Sequence, residues 1–417
     1  MSDCCGNKKP ETKETDPCCP PEPTCCSGST PDGSESDCPI TWFKNMVPNA
    51  LTYAKAEKEK GRNIVGIMCE YSPRELIMAA NAIPVCLCGG DVNMIPAAEE
   101  YLPANLCPLI KSTFGYSVNK ANPFLEMTDL IVAETTCDGK KKMYELLRER
   151  HPMVVLELPQ KPDDADAFEH WVMELKKFKE ELESRFNVEI TTACIEQGIK
   201  KMNRERALRR KLAELMKDEN PPLTGRELLD LKSLISCIPA DLEQYGKALS
   251  ELPGRTLDPP ACSRIRVLLT GVPLPHGAER VMDIIETNGG LVVCQENCTG
   301  LKPILEDVRE NTEYPLKALA EKYFHLPCSV MTSNTRRLDS LRNLVREYKP
   351  RCIIELTWQA CITYDVETYF VRRLVEEELH LPYLRIETDY SPSDSARIAM
   401  RVQALFETAQ GKRKACG

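Results

Sequence analysis

The 417-residue chain is 42% hydrophobic and 28% charged, a balance that is ordinary for a globular protein. Its net charge of −9 argues against nucleic acid as the main partner, because phosphate binding requires a basic surface. No run of about 18 apolar residues occurs, and the N-terminus has no apolar secretory core, so we expect a cytoplasmic protein without a membrane span.

Four segments follow one another along the chain. Residues 1–37 are rich in Pro, Ser, Thr, Asp and Glu and contain three Cys-Cys pairs, which predicts a disordered, cysteine-rich tail. Residues 38–160 alternate short β-rich runs with helical ones, the pattern of an N-terminal α/β domain with a parallel sheet. Residues 161–262 show helical spacing broken by prolines, which predicts a helical segment and a linker. Residues 263–417 repeat the α/β pattern and form a predicted C-terminal domain.

Cysteine is the unusual residue of this composition, with 21 copies. In a large chain without a secretion signal we expect reduced thiols, whose role is either metal binding or core packing. The close pairs Cys86/Cys88 and Cys294/Cys298 do not have the spacing of a zinc ribbon. Iron–sulfur ligands can be scattered singly over loops, which suits this layout better.

The two predicted α/β domains resemble each other, and the repeat includes their cysteines. Cys107 in the first domain matches Cys328 in the second, and Cys137 matches Cys361. Several cysteines also fall at or just beyond predicted strand ends: Cys69, Cys86, Cys137, Cys294 and Cys361. Ligands of open parallel sheets bind outside the carboxyl ends of the strands. We therefore predict an α/β fold of two similar parallel-sheet domains, with thiolates around a shared inorganic centre in the cleft between them.

Nucleotide-binding signatures are absent from this sequence. Neither a Gly-x4-Gly-Lys-Ser/Thr phosphate loop nor a Gly-x-Gly-x-x-Gly dinucleotide turn occurs, so we expect no ATP or NAD site in the chain. Of the five histidines, only His276 is placed for acid–base chemistry, and a loop histidine without a catalytic role is the simpler interpretation.

Several motifs, in order, resemble the 2-hydroxyacyl-CoA dehydratase and benzoyl-CoA reductase family, of the 2-hydroxyglutaryl-CoA dehydratase D-component type. The resemblance covers residues from about 40 to 409 and leaves out the tail. The motifs that carry it are the stretch 66–85 (Gly-Ile-Met-Cys-Glu-Tyr-Ser-Pro-Arg and onward), Cys107-Pro108 with Gly115, Thr136-Cys137-Asp138, Glu296-Asn297-Cys298-Thr299-Gly300, Cys328, and Cys361 with Tyr364-Asp365.

The resemblance implies two α/β domains around a low-potential iron–sulfur cluster. It also implies a separate ATP-hydrolysing activator, itself a [4Fe-4S] protein, that delivers single electrons. Three cysteines per subunit hold a [4Fe-4S] cluster in that family, and the matching positions here are Cys107, Cys137 and Cys361. Family subunits pair, and since one chain supplies both cysteine sets we expect a homodimer.

The chain departs from the usual pattern because it has many more cysteines than one cubane needs. A single cubane would leave Cys298 and Cys328 without a role. The chain most resembles the double-cubane cluster proteins of the family, which carry an [8Fe-9S] unit. That resemblance implies six ligands and leaves Cys86, Cys88 and Cys294 in reserve. The six are Cys69, Cys107, Cys137, Cys298, Cys328 and Cys361.

Polar residues near these cysteines are candidates for tuning a cluster or delivering protons. We expect Glu70, Lys111 and Glu296 to be catalytic. Further candidates are Tyr71, Glu134, Lys140 and Arg336.

Three functions are left open by the sequence. The main hypothesis is an iron–sulfur oxidoreductase, ATP-dependent through its partner, that reduces a small substrate at a double cubane. The first alternative is a subunit of a 2-hydroxyacyl-CoA dehydratase or aryl-CoA reductase with a single [4Fe-4S] cluster. The second is a non-catalytic metal or electron carrier, which the Cys-Cys tail would suit.

Overall fold

The computed structural model describes residues 38–414. The predicted tail 1–37 and Cys416 lie outside the described residues, so those predictions are not tested here. Within residues 38–414, no helix combines the length and apolar character needed to cross a membrane.

Two four-stranded sheets form the centre of the fold, and every strand pair in them is parallel. The first has the order β2-β1-β3-β4 and the second the order β6-β5-β7-β8, so the two halves share one topology. The predicted fold class is therefore confirmed. The strands are β1 (Ile64–Ile67), β2 (Ile83–Cys86), β3 (Leu130–Glu134), β4 (Met153–Leu156), β5 (Ile265–Gly271), β6 (Gly290–Glu296), β7 (Cys352–Trp358) and β8 (Tyr383–Thr388).

Helices cover the sheets and connect the two halves. A short π-helix, Leu374–Glu378, follows the fifteenth α-helix. The α-helices are α1 (Pro39–Lys44), α2 (Met46–Glu59), α3 (Arg74–Ala79), α4 (Ile95–Ala98), α5 (Pro108–Asn119), α6 (Pro123–Met127), α7 (Asp138–Arg148), α8 (Ala165–Phe186), α9 (Thr192–Glu214), α10 (Gly225–Asp230), α11 (Pro239–Glu251), α12 (Arg280–Thr287), α13 (Pro315–Phe324), α14 (Thr335–Tyr348), α15 (Ile362–Arg373) and α16 (Ser395–Lys414).

The strand sequences explain why both sheets are buried on two faces. β1, β3, β6 and β7 have no exposed residue, and their near-continuous apolar runs are typical of parallel strands covered by helices. One apolar core includes Ile83 and Val85 of β2 together with Leu269 of β5 and Trp358 of β7. The two halves therefore share a hydrophobic core, which holds the carboxyl ends of their sheets in a fixed relation.

The long helices α8 and α9 join the halves by packing on both. Both helices are capped at their N-termini by a side chain. Asp164 accepts a hydrogen bond from the Ala167 N–H before α8, and Thr191 accepts one from the Cys194 N–H before α9. α9 packs on α3 of the first half, and α8 packs on α13 of the second. A polar network follows the same route, in which buried Arg206 of α9 binds Glu75 of α3.

A glycine shapes the loop that leads from β5 toward the cleft. Gly271, the last residue of β5, has φ +111°. A Cβ atom there would overlap the carbonyl oxygen of Leu356 in the adjacent strand. Glycine is therefore required for the turn that carries Pro273, Pro275 and His276 over the sheet edge.

Candidate functional site

Three of the candidate ligands occupy the same position relative to a helix. Cys107, Cys137 and Cys361 directly precede α5, α7 and α15, so each lies at a helix N-terminus. A hydrogen bond with Cys361 lowers the pKa of Cys107, and the backbone N–H groups of Leu109 and Ile110 also lower it, against the opposing effect of burial. The N-terminus of a helix favours a thiolate because its free N–H groups and its dipole favour negative charge.

Cys107, Cys137 and Cys361 also form a group in space, here called triad A. The hydrogen bond to Cys107 raises the pKa of Cys361 well above its ordinary value, and burial and the neighbouring Cys137 raise it further. Burial raises the pKa of Cys137, and the charge on Cys107 adds to the rise. The three sulfurs are thus close enough for a charge on one to oppose a charge on the next.

A second group, triad B, consists of Cys69, Cys298 and Cys328. Burial raises the pKa of Cys69 well above its ordinary value, and the charges on the other two thiols add to the rise. Burial raises the pKa of Cys298 to about 12, with Cys328 adding and Lys302 opposing. The phenol of Tyr71 lies beside all three sulfurs, since each adds to the rise that burial causes in the Tyr71 pKa.

The two triads adjoin one another across the cleft. The charge on Cys328 of triad B contributes to the raised pKa of Cys137 in triad A. Triad A takes two cysteines from the first half of the chain and one from the second, whereas triad B takes one from the first half and two from the second. The structure therefore brings all six candidate ligands together at the carboxyl ends of both sheets.

The donor set fits an iron–sulfur group. Within residues 38–414, no three His, Cys, Asp or Glu side chains converge closely enough to hold a single metal ion. A cubane places its irons at separate corners, so its thiolate ligands are spaced more widely than the ligands of one ion. Six soft sulfur donors in two groups of three, with helix N–H groups and a phenol beside them, suit the chemistry of such a group.

A cavity of about 150 Å³ opens beside triad B and is lined in part by Cys69 and Cys298. Two of the three reserve cysteines also line it. Cys86 accepts a hydrogen bond from Arg74 at 3.4 Å, and Cys88 donates one to the Met68 carbonyl at 3.6 Å. The third reserve, Cys294, lies inside β6 and is buried in an apolar core.

All three predicted catalytic residues are held in ion pairs, and Glu70 and Lys111 each have one partner. Glu70 lines the cavity and pairs with Arg74 at 2.8 Å. Lys111 pairs with Glu99 at 2.7 Å, donates to the Ala104 carbonyl, and is not among the residues that line this cavity. Glu70 is thus placed to contact a ligand in the cavity, whereas Lys111 is bound to the loop before α5.

Glu296, the third predicted catalytic residue, lies behind triad B in a buried network. Its carboxylate lies 3.1 Å from Lys302 and 3.2 Å from Arg337. Burial opposes its ionisation, but the two cations lower the pKa of Glu296 below the ordinary value. Glu296 is thus a charged group behind Cys298, and it does not line the cavity.

The remaining polar candidates differ in their distance from the thiols. Lys140 donates to the Met68 carbonyl at 2.6 Å and lies beside Cys69, which contributes to the strong rise of its pKa against the effect of burial. Burial raises the pKa of Glu134 to about 8, although a hydrogen bond from Ser72 opposes the rise. The side chain of Arg336 is 48% exposed, at the protein surface.

Several cavity residues carry no signal in the sequence. Lys232 follows α10, Lys322 belongs to α13, and Arg206 and Arg209 lie on α9, yet all four line the same cavity. They come from segments that approach the sheet edge only through tertiary packing, so reasoning from strand ends does not reach them. His276, the one histidine that the sequence placed near chemistry, also lines this cavity.

Comparisons with known proteins agree with this arrangement. The family model described as 2-hydroxyglutaryl-CoA dehydratase, D-component, matches residues 69–409. A protein of Escherichia coli (strain K12), YjiM, whose name describes a dehydratase subunit, is 38% identical over 84% of this chain and 92% of its own length.

More distant relatives cover similar shares of both chains. The (R)-phenyllactyl-CoA dehydratase beta subunit of Clostridium sporogenes is 23% identical over 90% of this chain and 100% of its own length. The (R)-2-hydroxyglutaryl-CoA dehydratase subunit beta of Acidaminococcus fermentans is 22% identical over 88% and 98%. The resemblance inferred from the motifs is thus confirmed, and the chain belongs to the 2-hydroxyglutaryl-CoA dehydratase D-component family.

Proposed function

We propose that this protein is an iron–sulfur oxidoreductase that holds an [8Fe-9S] double cubane and reduces a small substrate. The observation that carries the proposal is the pair of adjoining cysteine triads, since two cubanes need about six thiolates and one needs about half as many. An enzymatic role is supported by relatives whose names describe CoA-thioester dehydratase subunits. When bound, the cluster would supply single electrons at low potential.

The residues around the triads have defined tasks in this proposal. The helix N-termini that begin directly after Cys107, Cys137 and Cys361 would favour the thiolate forms that bind iron. The ammonium group of Lys140 lies beside Cys69 and would offset part of the negative charge of the thiolates. Glu70, oriented by Arg74 at the wall of the cavity, is placed to exchange a proton with a ligand there.

The electrons would come from a separate ATP-hydrolysing [4Fe-4S] activator protein. The chain has no phosphate loop or dinucleotide turn, so energy for a low-potential reduction has to be supplied from outside. The relatives are named as subunits, which also supports a partner. The partner binds elsewhere than in the cavity, which is too small for a protein segment.

A homodimer completes the proposal, and α15 supports it. This helix begins directly after Cys361 and exposes an apolar face along its length. The exposed side chains are Ile362 (73%), Val366 (65%), Tyr369 (60%) and Phe370 (51%). A second copy of the chain would cover this face, because apolar area of this kind is stabilised by removal from water.

A second candidate function is a 2-hydroxyacyl-CoA dehydratase or aryl-CoA reductase subunit with one [4Fe-4S] cluster on triad A. The names of the relatives favour it. The cavity of about 150 Å³ would admit only the acyl end of a thioester, so coenzyme A itself would lie outside. A non-catalytic carrier fits less well, because a carrier would expose its thiols, whereas none of the six thiols here is exposed.

Iron and acid-labile sulfide per chain, measured on anaerobically purified protein, test the proposal. Wild type is expected to hold about eight irons, and Cys328→Ala about four, because triad B is broken and triad A is intact. Cys262→Ala is the matched control, since Cys262 is exposed and outside both triads. About four irons in wild type, unchanged in Cys328→Ala, would favour the dehydratase-subunit function, and zinc in place of iron would exclude both.

A further inference from the structure

The cavity beside triad B has an excess of positive charge. Its lining includes six Lys or Arg side chains and two carboxylates. Both carboxylates are already paired with arginines of the same lining: Glu70 with Arg74 at 2.8 Å and Glu205 with Arg209 at 3.7 Å. The lysines of the cavity wall therefore have no carboxylate in the cavity to neutralise them.

Lys232 and Lys322 are two cations of this lining that have no ion pair, although the Lys322 ammonium group lies 4.6 Å from the centroid of the Tyr323 ring. Each donates one hydrogen bond to a backbone carbonyl, Lys232 to Leu274 at 3.4 Å and Lys322 to Pro303 at 3.2 Å. Neither has an ion pair with any residue between 38 and 414, and Lys322 is only 7% exposed. Lys322 is buried and Lys232 is partly buried. An ammonium group withdrawn from water without an ion pair is costly, so an anion bound beside these lysines would stabilise them.

The acid–base behaviour of the two lysines points the same way. Burial lowers the pKa of Lys232 to about 8, and burial together with the nearby Arg206 lowers the pKa of Lys322 to about 7. Lys140 differs, because it lies beside Cys69 and its pKa is raised by the thiol. The charge on Lys140 thus serves the thiolates, and the charges on Lys232 and Lys322 are available to a ligand.

The size of the cavity limits the enclosed part of a ligand to a few heavy atoms. Its volume of about 150 Å³ is similar to that of a cavity known to hold benzene. Apolar side chains, among them Leu109, Met202 and Ile304, complete the wall. A nucleotide does not fit, whereas an anion with a short apolar tail does.

We propose that this cavity binds a small oxyanion, either a short-chain carboxylate or an inorganic oxyanion of similar size, through Lys232 and Lys322. Because Cys69 and Cys298 line the same cavity, the ligand would lie against triad B. The proposal that an anion binds here follows from the cavity alone. The proposal that this anion is the substrate rests on the proposed function.

Calorimetric titration of the anaerobically purified, full-length protein tests this site. The probes are sodium acetate and sodium sulfate, with neutral acetamide as the matched control, all at the same ionic strength with sodium chloride. We expect acetate, sulfate or both to bind and acetamide not to bind. Binding of acetate alone identifies a carboxylate site, and binding of sulfate alone identifies an inorganic oxyanion site.

Two variants locate the binding, and a third controls for general effects of charge. Lys232→Met and Lys322→Met keep side-chain length and remove the ammonium group, so each is expected to weaken the anion about tenfold or more. Lys322 also lines a second cavity that Lys232 does not line, so loss of anion binding in Lys232→Met assigns the binding to the cavity beside triad B. Lys201→Met, exposed on α9, is expected to leave binding unchanged.

Equal behaviour of acetate, sulfate and acetamide in wild type would overturn the proposal, as would full binding by both lysine variants. If a variant fails to fold, the wild-type comparison of charged and neutral probes still decides. Iron content is measured on the same samples. If the protein holds the expected iron but binds no anion, the anion site is refuted and the double cubane is not. If the protein binds the anion but holds no iron, the double cubane is refuted and the anion site is not.

Discussion

The buried ion pair between Glu75 and Arg206 gives the sharpest test of how the two halves are held together. Glu75 is fully buried on α3 and accepts hydrogen bonds from Arg206 of α9 at 2.5 Å and from Tyr323 of α13 at 2.7 Å. Arg206 is 2% exposed and also donates to Asn203. Glu75→Gln keeps the shape of the side chain and removes its charge, which leaves the Arg206 guanidinium buried without a counter-ion.

The expected cost is about 3–5 kcal/mol in the free energy of unfolding, the usual result of removing one partner of a fully buried ion pair. The same substitution at Glu321 is the control, because its pair with Arg309 is exposed and is expected to contribute about 1 kcal/mol or less. Replacing both partners, as Glu75→Gln with Arg206→Met, removes the uncompensated charge. The loss of unfolding free energy in the double variant should therefore be well below the sum of the losses in the two single variants.

Urea unfolding, followed by circular dichroism at several pH values, measures these differences. Arg206 and Tyr323 lower the pKa of Glu75 against the effect of burial, from an ordinary value of 4.5. The stability from this pair is therefore complete above about pH 4.5 and is lost as the pH falls through the lowered value. The difference in unfolding free energy between wild type and Glu75→Gln should decrease as the pH is lowered. A cost below about 1 kcal/mol at pH 7, or additive single variants, would refute this account.

Two further predictions concern the dimer and the backbone. Val366→Glu lies in the exposed apolar face of α15 and should convert a dimer to a monomer in light scattering. Met173→Glu, at an exposed methionine of α8, should leave the dimer intact. A monomeric wild type would contradict the proposed homodimer. Gly271→Ala should lower the free energy of unfolding by about 1–3 kcal/mol because of its positive φ and its contact with Leu356. Gly246→Ala, in open space on α11, should be neutral or slightly stabilising, and equal effects at both glycines would contradict the strain argument.

The sequence predicted the parallel-sheet fold because most strands are nearly continuous apolar runs and are followed by helical segments. It also indicated the sheet edge at which the thiols meet, since ligands of parallel sheets gather beyond the strand ends. The internal repeat further indicated that both halves contribute cysteines to the site. Those signals are local in the sequence, so they can be recognised without knowing how the two halves pack. The predicted domain boundaries stay predictions.

Other features depend on packing that no local pattern reports. Cys294 and Cys298 are close in sequence, but β6 continues to Glu296, so Cys294 points into the core and Cys298 lies beyond the strand. Lys111 follows Cys107 closely, yet its ammonium group is bound by Glu99 from the preceding loop. Lys232 and Lys322 reach the cavity only because the segment after α10 and the helix α13 form part of its wall. Such positions require the tertiary structure.

The division of the triads between the two halves has a consequence for biosynthesis. A nascent chain that ends before Cys328 lacks the last member of triad B, and one that ends before Cys361 lacks the last member of triad A. Neither triad can form from the first half alone, because each takes at least one cysteine from the second half. Metal insertion at this site would therefore follow release of nearly the whole chain, and would report that both halves have folded onto each other.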